Sequence, residues 1–320
     1  MALSVSLPPP HQFPLKKRLA LRNEIGDDKE LLKSPDDNLF KIAPFVDHPG
    51  PNFFCTCKEA RGVTLSKMNL NGSKPLKNIF YHVDIRRVVD LNLSCCDLSN
   101  LTDDYIPNSL PDTLKDLDLS EAKNIPTTLI IRALNAKNIE KLNLGNCDLS
   151  NLREEDIPES LPGTLKDLDL SKAKNIPTTL IIRALNAKNI KKLNLGDCNL
   201  SKLKENDIPY PLADTLKTLT LTMSNPTSYY AKNIPQQLIK SALVSKNLAE
   251  LNLGSCDLIN LREEDIPEFL PDTLKTLTLY YPCAKNIPKK LIKTALVSKN
   301  LEELNLGGCD LINLTEEDIP

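Results

Sequence analysis

Nine cysteines, three histidines and several paired glutamates are the residues of this 320-residue chain suited to metal binding, redox or acid–base chemistry. Their spacing decides what they can do. Cys96, Cys147, Cys198, Cys256 and Cys309 recur at intervals of 51, 51, 58 and 53 residues, whereas a zinc site draws its ligands from short, clustered spacings. Cys55 and Cys57 form a Cys-x-Cys pair and Cys95 adjoins Cys96, but neither pair has a second pair to complete a ligand set. No metal site is expected. His11, His48 and His82 all lie outside the regular part of the chain and read as solvated side chains. The pairs Glu154–Glu155, Glu263–Glu264 and Glu316–Glu317 return with the period of the cysteines. A site used once would not be copied into every block, so these glutamates read as loop charges. No phosphate-binding loop, zinc-protease helix or serine-nucleophile elbow is present. The expectation is a chain with no catalytic residue, no metal and no cofactor.

Lys plus Arg number 40 and Asp plus Glu 42, a formal charge of −2. Nucleic acids and anionic membrane surfaces select a basic excess, so neither is an expected partner. No apolar run approaches the ~18 residues of a membrane span. The N-terminal stretch MALSVSLPPPHQFPLKK carries its charges after its apolar part and prolines in its middle, the wrong order for a secretory signal. The cysteines therefore read as free thiols in a reducing compartment, with a cytoplasmic location.

What must position these residues is a repeat. Residues 113–163 and 164–214 are nearly identical at a period of 51, and the later, longer cysteine intervals reflect insertions after Leu221 and Leu279. Each block holds two units. One has the form L-x-x-L-x-L-x-x-C-x-L, as in Ile139-Leu142-Leu144-Cys147-Leu149; the other replaces cysteine with alanine and continues to Ile-Pro, as in Leu114-Leu117-Leu119-Ala122-Ile125-Pro126. Ten units of about 25 residues follow from a degenerate first copy at Leu65 onward. The L-x-L core alternates with the period of a strand, so both leucines point to one side. A single unit is too small to bury that side, so neighbours must stack. Stacking in one direction gives parallel strands, with ten spanning about 45 Å at ~4.8 Å spacing.

The spacing also predicts the other side of each coil. After the alanine units, Pro126 suits a first helical turn and Leu129, Ile130, Ala133 and Leu134 share one face. Short helices are expected there and over 177–187, 235–245 and 288–298. After the cysteine units the chain is acidic and punctuated by proline, which predicts a single turn or an irregular connection. Between the two strand leucines sits one outward residue per unit: Asn69, Asn92, Asp118, Asn143, Asp169, Asn194, Thr220, Asn252, Thr278 and Asn305. This column should line the concave face. Tyr229, Tyr230, Tyr280 and Tyr281 fall in the two insertions beside one rim, and exposed tyrosines often anchor a partner. The candidate binding residues are these tyrosines together with Asn92, Asp118, Asn143, Asp169, Asn194, Asn252 and Asn305.

The pattern over residues 62–320 resembles the leucine-rich repeat. The resemblance implies an α/β solenoid with a curved parallel sheet, a convex side of alternating short helices and loops, and a protein partner on the concave face. Residues 1–28 read as a loose tail. Residues 29–61 read as a small helical segment, with Leu39, Ile42, Phe45 and Val46 at amphipathic spacing after Ser34-Pro35-Asp36-Asp37. Pro35, Asp36, Leu39, Lys41, Ile42, Phe45, Val46 and Asp47, followed by Cys57, Lys58 and Arg61, resemble an F-box. An F-box ahead of leucine-rich repeats is the domain order of substrate receptors in Skp–cullin–F-box ubiquitin ligases. That resemblance implies docking of the Skp adaptor, and through it the cullin, by Pro35, Leu39, Ile42, Phe45 and Val46. Similar architectures occur in effectors of intracellular bacteria, which implies the host cytosol in that case. The alternative is a binding module or scaffold without a ligase link, in which residues 1–61 only cap the solenoid. The sequence ends at Ile319-Pro320, matching a point inside a block, so the expectation includes partner-covered ends, modest self-association or a truncated product.

Overall fold

A strand of three residues makes too few hydrogen bonds to persist alone and forms only against neighbours. The computed structural model describes residues 39–41, 67–72, 79–81, 87–224, 234–280, 287–309, 311 and 314. Within them, strands of this kind follow one another as β1 Leu39–Lys41, β2 Lys67–Asn69, β3 Asp90–Asn92, β4 Asp116–Asp118, β5 Lys141–Asn143 and β6 Asp167–Asp169. The series continues as β7 Lys192–Asn194, β8 Thr218–Thr220, β9 Glu250–Asn252, β10 Thr276–Thr278 and β11 Glu303–Asn305. All pair in parallel and in chain order, as one sheet of eleven strands of which ten belong to the repeat. The register is constant: Leu91, Leu117, Leu142, Leu168 and Leu193 are successive partners. The leucine rows are therefore in phase from β3 to β11, as the fixed spacing requires.

The central leucine of each strand and the leucine two residues later point inward. Leu117, Leu119, Leu142, Leu144, Leu168 and Leu170 are buried in one continuous apolar cluster. The far side closes that cluster in two alternating ways. Helices α1 Thr127–Leu134, α2 Thr178–Asn186, α3 Gln236–Leu243 and α4 Lys289–Leu296 follow the alanine units. Single 3-10 turns at Asp103–Tyr105, Glu154–Asp156, Glu205–Asp207 and Glu263–Asp265 follow the cysteine units. Both alternatives match the spacing. In α1 the buried residues are Leu129, Ile130, Ala133 and Leu134, the predicted face. Pro126 sits one residue earlier than expected, at the N-cap with extended backbone.

The helices start without a side-chain cap from their own chain segment, and for α2 the neighbouring coil supplies one. Glu154 Oε1 accepts the Thr178 N–H at 2.9 Å and Oε2 accepts the Thr179 N–H at 2.8 Å. A carboxylate satisfies the free amides at a helix start and favours its positive end. Glu154 is therefore more than a loop charge, which corrects the reading of that pair. Burial works to raise its pKa, yet the hydrogen bonds from Thr179 and Thr178 prevail and lower it. In the next block Lys240 of α3 reaches Asp265 at 2.8 Å with both side chains mostly covered. Coil is thus tied to coil on the convex side by charge as well as by leucine.

At the N-terminal end, Leu39–Lys41 is a strand paired with β2 through Leu39–Lys67, Phe40–Met68 and Lys41–Asn69. The spacing predicts a helix beginning there. The strand forms instead because the outer edge of β2 would otherwise leave a row of unpaired amides and carbonyls. Pro35, Ile42, Phe45, Val46 and the rest of 29–61 lie outside the described residues. No helix among the described residues is long and apolar enough to cross a membrane.

If the in-phase leucine rows hold the coils together, truncation at the centre of the stack costs more than truncation at its last strand. Leu142 is buried whereas Leu304 is only half-buried. Leu142→Ala is expected to cost about 2–5 kcal/mol and Leu304→Ala clearly less, measured by denaturant unfolding. Equal losses would contradict the described spine.

Candidate functional site

The outward column has two roles, and the first is structural. In each coil that carries Asn or Asp, the side-chain oxygen turns back to the backbone and ends the strand. Asn143 Oδ1 accepts the Gly145 N–H at 2.9 Å, Asn194 Oδ1 that of Gly196 at 3.0 Å, and Asn252 and Asn305 do the same for Gly254 and Gly307. Asn92, Asp118 and Asp169 accept both the N–H and the hydroxyl of Ser94, Ser120 and Ser171 at 2.6–2.9 Å. Three residues beyond these Asn and Asp residues the chain turns through the left-handed region, at Cys95, Glu121, Asn146, Lys172, Asp197 and Ser255, with φ from 56° to 60°. Gly72 and Gly308 hold the same position in the first and last coils. The short polar side chain secures a turn that L-residues otherwise avoid.

The next residue enters the core, and in alternate coils it is cysteine. The thiols of Cys96, Cys147, Cys198, Cys256 and Cys309 donate to the carbonyls of Leu70, Leu119, Leu170, Leu221 and Leu279 in the preceding coil, at 2.8–3.1 Å. They are free thiols. Burial pushes Cys147 and Cys198 up to about 12, and Cys256 is raised for the same reason. Protonated thiols facing backbone carbonyls neither attack an electrophile nor bind a metal. Among the described residues, no group of three or more His, Cys, Asp or Glu is placed to hold a metal ion.

The second role of the column is the face it presents. Asn92, Asp118, Asn143, Asp169, Asn194, Asn252 and Asn305 lie on one side of the sheet, opposite the leucines, and form a single row. A parallel row begins each strand: Asp90, Asp116, Lys141, Asp167, Lys192, Thr218, Glu250, Thr276 and Glu303. Over β3 to β6 the two rows line an open depression of about 330 Å³. Lys141 pairs there with Asp116 at 2.8 Å, and Lys67 with Asp90 at 3.1 Å. Asn194 Nδ2 donates to Asp169 Oδ2 at 2.9 Å. Just outside the strands, Glu140 stands between Lys115 at 2.8 Å and Lys166 at 2.5 Å. Their hydrogen bonds bring its carboxyl down to about 2. Asp167 differs: burial raises its pKa, Lys192 and Lys141 oppose that, and Asp169 and Asp116 add to it.

Tyr280, two residues beyond β10, is exposed and lies with its ring against Gly307, where an added Cβ would come to 3.0 Å from the ring. Tyr229, Tyr230 and Tyr281 lie outside the described residues. The row starting each strand was not among the expected binding residues, although position alone marks it: it is two residues before the column and shares its side of the strand.

These coils form an α/β solenoid with an open parallel sheet, consistent with leucine-rich-repeat architecture. No protein-family model and no curated protein matches the chain.

Two outcomes test this geometry. In the folded protein at mildly alkaline pH, iodoacetamide should label the exposed Cys95 and spare Cys147, Cys198 and Cys256 until denaturant is added, scored by peptide mass. Equal labelling would contradict the buried ladder. The second outcome concerns Asp167. Because its folded-state pKa is raised, its ionisation weakens folding as pH rises through that value. Asp167→Asn should therefore melt higher than the native chain at neutral pH, and the gap should close as pH falls below the ordinary aspartate value of 3.8.

Proposed function

We propose that this chain is a protein-binding solenoid that does no chemistry of its own and holds a macromolecular partner on the outward face of its sheet. One observation carries the reading: two parallel polar rows run the length of the repeat, and no described element packs over them, while the apolar residues of the same strands are committed to the core. Stacked repeats create extended faces of this kind, and extended faces grip large ligands. An open depression of mixed charge suits a protein surface better than a small molecule, which binds in enclosed and mostly apolar cavities.

In its more specific form, the proposal makes the chain a cytoplasmic substrate receptor of a Skp–cullin–F-box ubiquitin ligase. The support for it is the F-box-like run from Pro35 to Arg61 ahead of the repeats. Pro35, Leu39, Ile42, Phe45 and Val46 would dock the Skp adaptor, and the sheet face would hold the substrate. The pairing of Leu39–Lys41 with β2 favours a second reading, in which residues 29–61 cap the first coil of a binding module or effector scaffold without a ligase link.

A pull-down with purified Skp adaptor separates the two. Capture by the native chain and its loss in the Leu39→Ala/Ile42→Ala double variant, with unchanged melting, supports the ligase receptor. No capture by the native chain rejects it in favour of the cap. A fall in melting temperature in the double variant without any adaptor binding would mark these residues as purely structural.

A further inference from the structure

Resting on the reading of the sheet face as a protein-binding surface, we infer that its N-terminal half receives an extended basic segment of a protein partner, with Lys or Arg side chains recurring about every third residue. The two halves of the face differ in charge. Asp90, Asp116, Asp118, Asp167 and Asp169 line the depression with Lys141 as the single base, in a chain whose total charge is only −2. In the other half, Thr218, Thr220, Thr276 and Thr278 fill both rows of β8 and β10. A partner therefore meets a concentrated negative field at one end, and at the other mostly neutral hydroxyls and amides with two widely separated glutamates, Glu250 and Glu303.

The spacing of the acids sets the spacing of the bases. β4 and β6 each place two aspartates outward, while β5 between them shows Lys141 and Asn143. Strands two apart lie about 10 Å from each other, and a segment in the extended polyproline II conformation advances ~3.1 Å per residue with about three residues per turn. Such a segment running across the strands thus turns every third side chain to the sheet and over an acidic strand. Its intervening residues pass over β5, where a second cation would meet Lys141.

Not every carboxylate is equally available. Asp116 is engaged by Lys141, Asp90 by Lys67, one oxygen each of Asp118 and Asp169 is used to end its strand, and the other oxygen of Asp169 accepts from Asn194. The carboxylate of Asp167 has no hydrogen-bond or ion-pair partner among the described residues, and it is half-buried between these groups. A half-buried charge without a partner gains most from an arriving cation. The aspartates stand on separate strands and do not converge as metal ligands, so a row of separate cations fits them better than one ion. The lysines just outside the strands, Lys115 and Lys166, are already held by Glu140, which leaves the acidic floor as the dominant charge facing a ligand.

The test is fluorescence anisotropy with the full chain and a labelled peptide of Lys-Thr-Ser repeats. The same peptide with Glu for Lys, and one of identical composition with its lysines adjacent, serve as comparisons. The Lys-Thr-Ser peptide should bind, more weakly as salt rises. The Asp167→Asn/Asp169→Asn variant should lose about tenfold in affinity, or 1.4 kcal/mol. Asparagine holds the equivalent column position in β5 and β7, so the strand-ending turn survives in that variant, which melting no lower than that of the native chain would verify. No binding, equal binding of the Glu peptide, or full affinity in the double variant would overturn the inference. Equal binding of the peptide with adjacent lysines would overturn the three-residue spacing. If Glu250→Gln and Glu303→Gln reduce binding while the aspartate variant does not, the sheet face stands as the binding surface and only its acidic half is ruled out. Indifference to substitutions in both halves would reject the binding face itself.

Discussion

A coil of about 25 residues cannot enclose its own leucines, so every coil depends on the next. The dependence is visible in the backbone as well as in the core. Leu93 N–H donates to Asp118 O at 2.7 Å, Leu119 to Asn143 at 2.9 Å, Leu144 to Asp169 at 2.8 Å and Leu170 to Asn194 at 2.9 Å. Each coil satisfies its amides with carbonyls at the same position of its successor. A shift of one residue would bring polar side chains to the core and leucines to the surface along a whole strand. Register is therefore the constraint from which the rest follows: fixed register makes columns, and columns make a continuous face.

Much of this was legible in the residues. The L-x-x-L-x-L spacing identifies the strands, their parallel order and the inward leucines. The proline before Thr127, Thr178, Gln236 and Lys289, with apolar residues at helical intervals after it, places four short helices close to where they stand. The acidic, proline-bounded segments correctly predict single turns. These features are local or strictly periodic, which is the kind of information a single sequence carries.

What depended on contacts between coils was not legible. Nothing in the sequence near Glu154 shows that it caps a helix 24 residues away. The column of Asn and Asp reads as a binding row, whereas its uniformity follows first from ending each strand with a side-chain hydrogen bond; only its remaining atoms face a partner. The repeat cysteines read as free thiols, but their place in the core and their role as donors to the preceding coil need the stacked geometry. The row from Asp90 to Glu303 reads in part as mixed charge beside the column, at Asp116, Lys141, Asp167 and Lys192, and not as a binding row, because varied residue types give no pattern to follow. At the N-terminal edge, amphipathic spacing suggested a helix at Leu39, while the open edge of β2 favours a strand.

All of this depends on a single stack in constant register. Hydrogen exchange of the full chain, resolved to single amides, tests it most directly. The account predicts slow exchange recurring with the coils, at the amides following each strand such as Leu93, Leu119, Leu144 and Leu170, through both the cysteine and the alanine units. Protection confined to one block, or recurring out of step with the leucines, would contradict it.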